Sequence, residues 1–199
     1  MAIEYEATFL NINKGEIREK LEKVGAKLVK SEFMQKRVVF NLPNGHEIEG
    51  AWLRVRDEDN KITMSLKVVD GEKIENQKEI GLVINDFNAG KEFLEVIGCQ
   101  KKSYQETKRE IWELDGVEVC IDEWPFLEPF VEVEGKSEKE VKLISEKLGF
   151  DYFKALFCAA GEIYSKKYGI PAEIINNKTP EITFNMGNPF LKNNYKINL

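Results

Sequence analysis

Glu4-Tyr5-Glu6-Ala7-Thr8-Phe9 alternates polar and apolar residues, and Val131-Glu132-Val133-Glu134 repeats the pattern late in the chain. Alternate residues of a strand share a face, so each stretch sets two carboxylates on one side and apolar groups on the other. Taken singly, either stretch reads as an antiparallel strand with one face in water. A third stretch, Leu53-Arg54-Val55-Arg56, has the same alternation with the opposite charge. Charged faces of both signs turned into one cavity would set a metal site beside a phosphate cradle.

Further alternating stretches lie between these. Residues 3–10, 33–41, 51–57, 61–69, 73–83, 104–114, 117–123 and 128–134 read as strands, and Asp115-Gly116 marks a tight hairpin. Asn13 with Glu16 opens a helix carrying Ile17, Leu21 and Val24 and ending at Gly25. Ser137 with Glu140 opens another, with Val141, Ile144 and Leu148, ending at Gly149. The order acidic strand, capped helix, glycine thus occurs twice and suggests two halves around one centre. Asp86 caps a helix ending at Gly98, residues 152–168 read as a last long helix, and 181–184 as a strand.

Seven or eight strands with few helices predict an α+β fold, a closed eight-stranded antiparallel barrel with helices packed outside. The amphipathic helices need an apolar surface, and the apolar strand faces supply it. The charged faces then line the lumen, which requires water, metal and an anionic ligand. The whole chain, 1–199, is expected to form one domain, with 171–199 a C-terminal extension that is partly mobile.

Composition narrows the function. Lys+Arg 29 against Asp+Glu 35 gives a net charge of −6, which argues against a nucleic-acid partner but not against a small anion. Three cysteines without a C-x-x-C pair point to a reducing cytoplasm. No apolar run approaches a membrane span, and Met1-Ala2-Ile3-Glu4 reads as no signal peptide. The single histidine, His46, lies in a turn-like segment, so zinc and triad chemistry are not expected. A glycine-rich phosphate loop is also missing from the sequence.

The expected metal ligands are Glu4, Glu6, Asp122, Glu132 and Glu134. Carboxylates from three strands without histidine favour Mg²⁺ or Mn²⁺. The expected phosphate-binding and catalytic cations are Arg54, Arg56, Lys67 and Arg109, with Arg37 and Lys78 as further substrate-binding candidates. Lys108, Glu123 and Glu128 read as solvated.

In this order, Glu4 and Glu6, Arg54 and Arg56, Ser65-Leu66-Lys67, Lys108-Arg109, Asp122 with Trp124-Pro125, and Glu132 with Glu134 and Gly135 resemble the CYTH superfamily. These are the triphosphate tunnel enzymes, and the resemblance spans residues 1 to roughly 170. It implies an eight-stranded tunnel with a Mg²⁺- or Mn²⁺-dependent triphosphate site. It also implies hydrolysis of tripolyphosphate, thiamine triphosphate or nucleoside triphosphates, or cyclisation of ATP. Two positions depart from the pattern: the lysine after the first acidic pair falls on Thr8, and a second basic position falls on Thr107. A non-catalytic triphosphate-binding module is therefore an alternative. The partner expected is a small triphosphate substrate, and a homodimer is allowed.

Overall fold

The alternating stretches form strands that close on themselves. In the computed structural model, which describes residues 1–191, the strands are β1 (Ala2–Ile3), β2 (Tyr5–Phe9), β3 (Lys27–Asn41), β4 (Ala51–Asp57), β5 (Ile62–Val69), β6 (Gln77–Ile84), β7 (Gln100–Leu114), β8 (Val117–Glu123), β9 (Phe130–Gly135) and β10 (Glu181–Ile182). The helices are α1 (Lys14–Lys23), α2 (Phe87–Val96), α3 (Glu138–Lys147), α4 (Ala160–Tyr168) and α5 (Ala172–Lys178). The sheet order is β1-β6-β5-β4-β3-β7-β8-β9-β2, and only Glu4 separates β1 from β2. One N-terminal segment therefore joins both edges: Ala2 lies opposite Glu79 of β6, and Glu6 opposite Glu134 of β9. β10 adds to β7 in parallel and stands off the ring. Counting β1 and β2 as one and leaving out β10, the ten strands reduce to the eight of a nearly closed antiparallel barrel.

At the seam, other groups take over where strand pairing stops. The Glu4 N–H donates to the Gln77 carbonyl at 2.9 Å, and the Gln77 side-chain amide donates to the Glu6 carbonyl at 2.7 Å. Thr8 exchanges two backbone hydrogen bonds of 2.9 Å with Leu156. Buried backbone groups must be paired, and this bridge accounts for a departure from the sequence reading. Residues 152–168 are not one helix. A 3-10 turn (Tyr152–Lys154) leads into the extended bridge at Leu156, and α4 begins only at Ala160.

The apolar faces point outward against the helices. Ala7, Val119, Ile121, Val131 and Val133 pack with Ile17 and Leu21 of α1 and Val141 and Ile144 of α3. Val38, Phe40 and Val55 pack with Leu94 of α2. Gly90 makes that approach possible, since a Cβ there would stand 2.5 Å from Ile84 Cδ1. The caps are local: the Asn13 side chain accepts from the N–H groups of Gly15 and Glu16, and Ser137 from that of Glu140. The Asp115-Gly116 turn has φ of 54° and 81°, the left-handed pair a tight hairpin needs.

A third apolar group joins Trp124, Leu127 and Phe130 to Ile163 and Tyr164 of α4, Ile175 of α5, Ile182 and Phe190. Residues up to Phe190 are thus tied to the barrel, while the rest of the predicted extension, 192–199, lies outside the described residues. No helix among the described residues is long and apolar enough to cross a membrane.

Candidate active site

The inward positions of the barrel enclose a cavity of about 670 Å³. Arg54 and Arg56 of β4, Lys67 of β5, Arg109 of β7 and Arg37 of β3 all line it. Cross-strand register places them: Arg37 lies opposite Arg56, and Arg54 opposite Ser65. Lys78 does not join them. Its neighbour Glu79 faces inward, so alternation turns Lys78 outward, where it pairs with Asp70 at 2.5 Å. It is therefore removed from the substrate-binding group. The 3-10 turn at Ile74–Asn76 delays the strand, which begins at Gln77 rather than at 73.

The five predicted metal ligands separate into two groups. Glu4, Glu6 and Glu134 each present a carboxylate oxygen within 4.8 Å of the others. Register drives this: Glu6 lies opposite Glu134, which lies opposite Glu118 on β8. Like charges directly opposite repel, and burial adds to the cost. Glu134 is pushed up to about 7 by burial and then by the Glu4 charge. Glu6 is held well above the carboxylate range by burial and then by Glu132. Three hard oxygens that resist ionisation together are a donor set suited to Mg²⁺ or Mn²⁺.

Asp122 and Glu132 serve Arg109 instead. Arg109 donates to Asp122 from Nε (2.8 Å) and Nη2 (2.6 Å), and Nη2 also pairs with Glu132. Asp122 is fully buried and outside the cavity lining, and in this arrangement it clamps Arg109. Burial pulls the Arg109 pKa down, but the Asp122 and Glu132 carboxylates beside it outweigh that and hold it well above the usual value.

Glu79, unassigned in the sequence reading, is central. It meets Arg54 at 3.2 Å and Lys67 at 3.2 Å, while Lys67 reaches Glu4 at 2.7 Å. Burial would raise its pKa, yet Lys67 and Arg54 hold it far below the usual range. The available signal was Gln77-Lys78-Glu79 in a predicted strand, once its register against Lys67 is known. Glu58 similarly binds Arg56 at 2.6 Å.

Acids thus neutralise part of the basic wall, and part remains unsatisfied. Arg54 is 7% exposed, and its Nε has no partner among the described residues. Its pKa falls to about 10, through burial and then the neighbouring Arg56. Thr8 is buried, outside the cavity lining, and seated between Glu132 of β9 and the Leu156 bridge. Cys158, Ala159, Gly161 and Tyr164 of the C-terminal part also line the cavity.

A barrel whose lumen carries both charge signs is the architecture of the triphosphate tunnel proteins, and the sequence comparison agrees. The CYTH domain matches residues 2–154, so the chain belongs to that family. A Methanocaldococcus jannaschii protein named "Putative adenylate cyclase" is 28% identical over 172 residues, spanning 83% of this chain and 96% of its own. Among solved structures, a "putative adenylate cyclase" from Vibrio parahaemolyticus has a TM-score of 0.71 at 12% identity, covering 82% of this chain and 98% of its own. A conserved hypothetical protein from Pyrococcus furiosus reaches 0.65 at 21% identity, with coverages of 78% and 96%. A Hippeastrum "putative adenylyl cyclase", described as having a dominant triphosphatase activity, reaches 0.57 at 15% identity, with coverages of 85% and 99%. At these identities the structural likeness is one of fold.

Proposed function

We propose that this protein is a divalent-metal-dependent hydrolase of linear triphosphates, working in a cytoplasmic setting. The observation that carries the reading is the division of the lumen. Three carboxylates, Glu4, Glu6 and Glu134, converge on one side, and a cationic wall faces the same cavity with buried N–H capacity left over. Phosphoryl transfer needs this combination, because catalysis there is mostly positioning and charge stabilisation.

In this reading Glu4, Glu6 and Glu134 would hold Mg²⁺ or Mn²⁺, which when bound would neutralise phosphate charge and polarise the phosphoryl group. Arg54 would donate to phosphate oxygens through its free Nε, with Glu79 fixing the other side of its guanidinium. Lys67, held between Glu4 and Glu79, would add a compact charge beside the carboxylates. Asp122 and Glu132 would hold Arg109 rigid, so that its planar face need not reorganise as charge moves. Water adds to the terminal phosphorus, the bond to the bridging oxygen breaks, and orthophosphate and a diphosphate leave.

A second reading, cyclisation of ATP to cyclic AMP and pyrophosphate, is supported by the name of the M. jannaschii relative. A third, binding without turnover, is supported by Thr8, which supplies no cation to the lumen. Purified protein incubated with Mg²⁺ or Mn²⁺ and tripolyphosphate, ATP or thiamine triphosphate separates them. Orthophosphate release supports hydrolysis, cyclic AMP with pyrophosphate supports cyclisation, and saturable binding without product supports the module. Absence of binding to any triphosphate refutes all three.

A further inference from the structure

Arg37 is 6% exposed and lines the cavity, yet among the described residues it makes no ion pair. Its Nη2 donates to two neutral acceptors, Thr107 Oγ1 at 2.6 Å and Gln35 Oε1 at 3.0 Å. The Thr107 hydroxyl in turn donates to Gln35 Oε1 at 3.1 Å. The guanidinium lies 4.6 Å from the Trp124 ring. Among the described residues, its Nε and the Gln35 Nε2 are buried without partners. The clamp therefore aims the charge without neutralising it. A buried cation without a counter-charge is costly, and here the opposite cross-strand residue is another arginine, Arg56. A purely structural role accounts poorly for such a site, whereas an anion that binds there resolves it.

Register gives the position of this anion. Along β4, Trp52 lies opposite Lys67, Arg54 opposite Ser65, and Arg56 opposite both Thr63 and Arg37. Glu4 bonds to Gln77, which lies opposite Val69, so its backbone stands two residues beyond the Trp52 level on the side away from Arg56, and Lys67 reaches along the barrel to its carboxylate. Arg37 stands on the other side of the Trp52 level, four residues along, roughly 13 Å at the rise of a strand. The charges acting most on Arg37 are Arg54, Arg56, Arg109 and then Asp122, not the carboxylate trio.

Resting on the triphosphate reading above, we infer that Arg37, aimed by Gln35 and Thr107 over Trp124, forms the subsite for the phosphoryl group farthest from Glu4, Glu6 and Glu134, and so selects triphosphates over diphosphates. A diphosphate reaching the trio, Lys67 and Arg54 leaves Arg37 unfilled; a triphosphate fills it. Arg37 supplies the lumen charge that the threonines at 8 and 107 do not, and Thr107 acts as its positioning residue.

Calorimetric titration of the full chain with tripolyphosphate and with pyrophosphate, with and without Mg²⁺, tests this at low ionic strength. Arg37→Met should weaken tripolyphosphate binding at least about tenfold and pyrophosphate binding less than about twofold. Thr107→Val, which keeps the charge but frees its aim, should show a smaller loss with the same selectivity. Free Arg37→Met should melt at an equal or higher temperature than the wild type, because an unpaired buried charge is gone. Equal losses for both anions, no loss, or a lowered melting temperature overturns the assignment. A wild type that binds tripolyphosphate tightly while Arg37→Met binds it equally well defeats this inference alone. A wild type that binds no tripolyphosphate defeats the triphosphate reading and this inference with it.

Discussion

Replacing Glu134 by Gln removes one carboxylate from the Glu4–Glu6–Glu134 trio, and the metal-free protein should become more stable. The folded pKa of Glu134 is raised from an ordinary 4.5 to about 7. Between those values the unfolded chain has already released its proton while the folded chain still holds it. Stability therefore falls as pH rises from about 4.5 to about 7, and the full penalty applies above that. At 1.36 kcal/mol per pKa unit, the penalty is at most about 3 kcal/mol. For a chain of this size, that corresponds to a melting temperature higher by about 6–12 °C at pH 8 without metal. Below pH 4.5 the two proteins should melt together. Mg²⁺ or Mn²⁺ should raise the melting temperature of the wild type and leave the variant nearly unchanged. Calorimetric scans across pH, with chelator and with metal, measure all of this. A variant no more stable than the wild type at pH 8, or a gap independent of pH, would refute the argument that these carboxylates await a cation.

The other expectations concern residues with distinct tasks. Asp122→Asn breaks a buried pair and leaves Arg109 partly uncompensated, so it should cost about 3–5 kcal/mol in urea denaturation; a metal ligand in its place would instead behave like Glu134. Arg54→Ala should weaken tripolyphosphate binding by about 1.5–3 kcal/mol by titration, and an unchanged affinity would place Arg54 outside the phosphate path. Thr8→Lys must fit a longer side chain beside the Leu156 bridge, so it should destabilise the fold by about 1–3 kcal/mol without increasing turnover. A stable variant with a faster rate would show that position 8 opens to the lumen after all. Lys78→Ala, on the outer face, should leave binding and turnover unchanged.

The barrel was legible because two periods carry it, the strand's and the helix's. Charge alternates with apolar residues in Glu4–Phe9, Leu53–Arg56 and Val131–Glu134, and amphipathic helices start at Asn13 and Ser137. Covering the apolar faces with helices left the lumen to the charges, so Arg54, Arg56, Lys67 and Arg109 could be picked out before any coordinate was known. Period alone does not say which of a strand's two faces turns inward. In the strand expected over 73–83 the pairing with β5 decided it: Glu79 faces Lys67 inside the barrel, and Lys78 turns out to Asp70.

Sequence thus determined which residue types face inward, since a pleated strand has only two faces and the helices claim one. Tertiary structure decided which charges meet. Cross-strand register put Glu6 against Glu134 but Asp122 against Arg109, turning one expected set of five acids into a trio and a clamp. It also broke the expected long helix, because Thr8 offered a backbone N–H and carbonyl at the open seam and Leu156 was positioned to take both. These choices depend on hydrogen bonds between segments far apart in the chain, and local periodicity has no access to them.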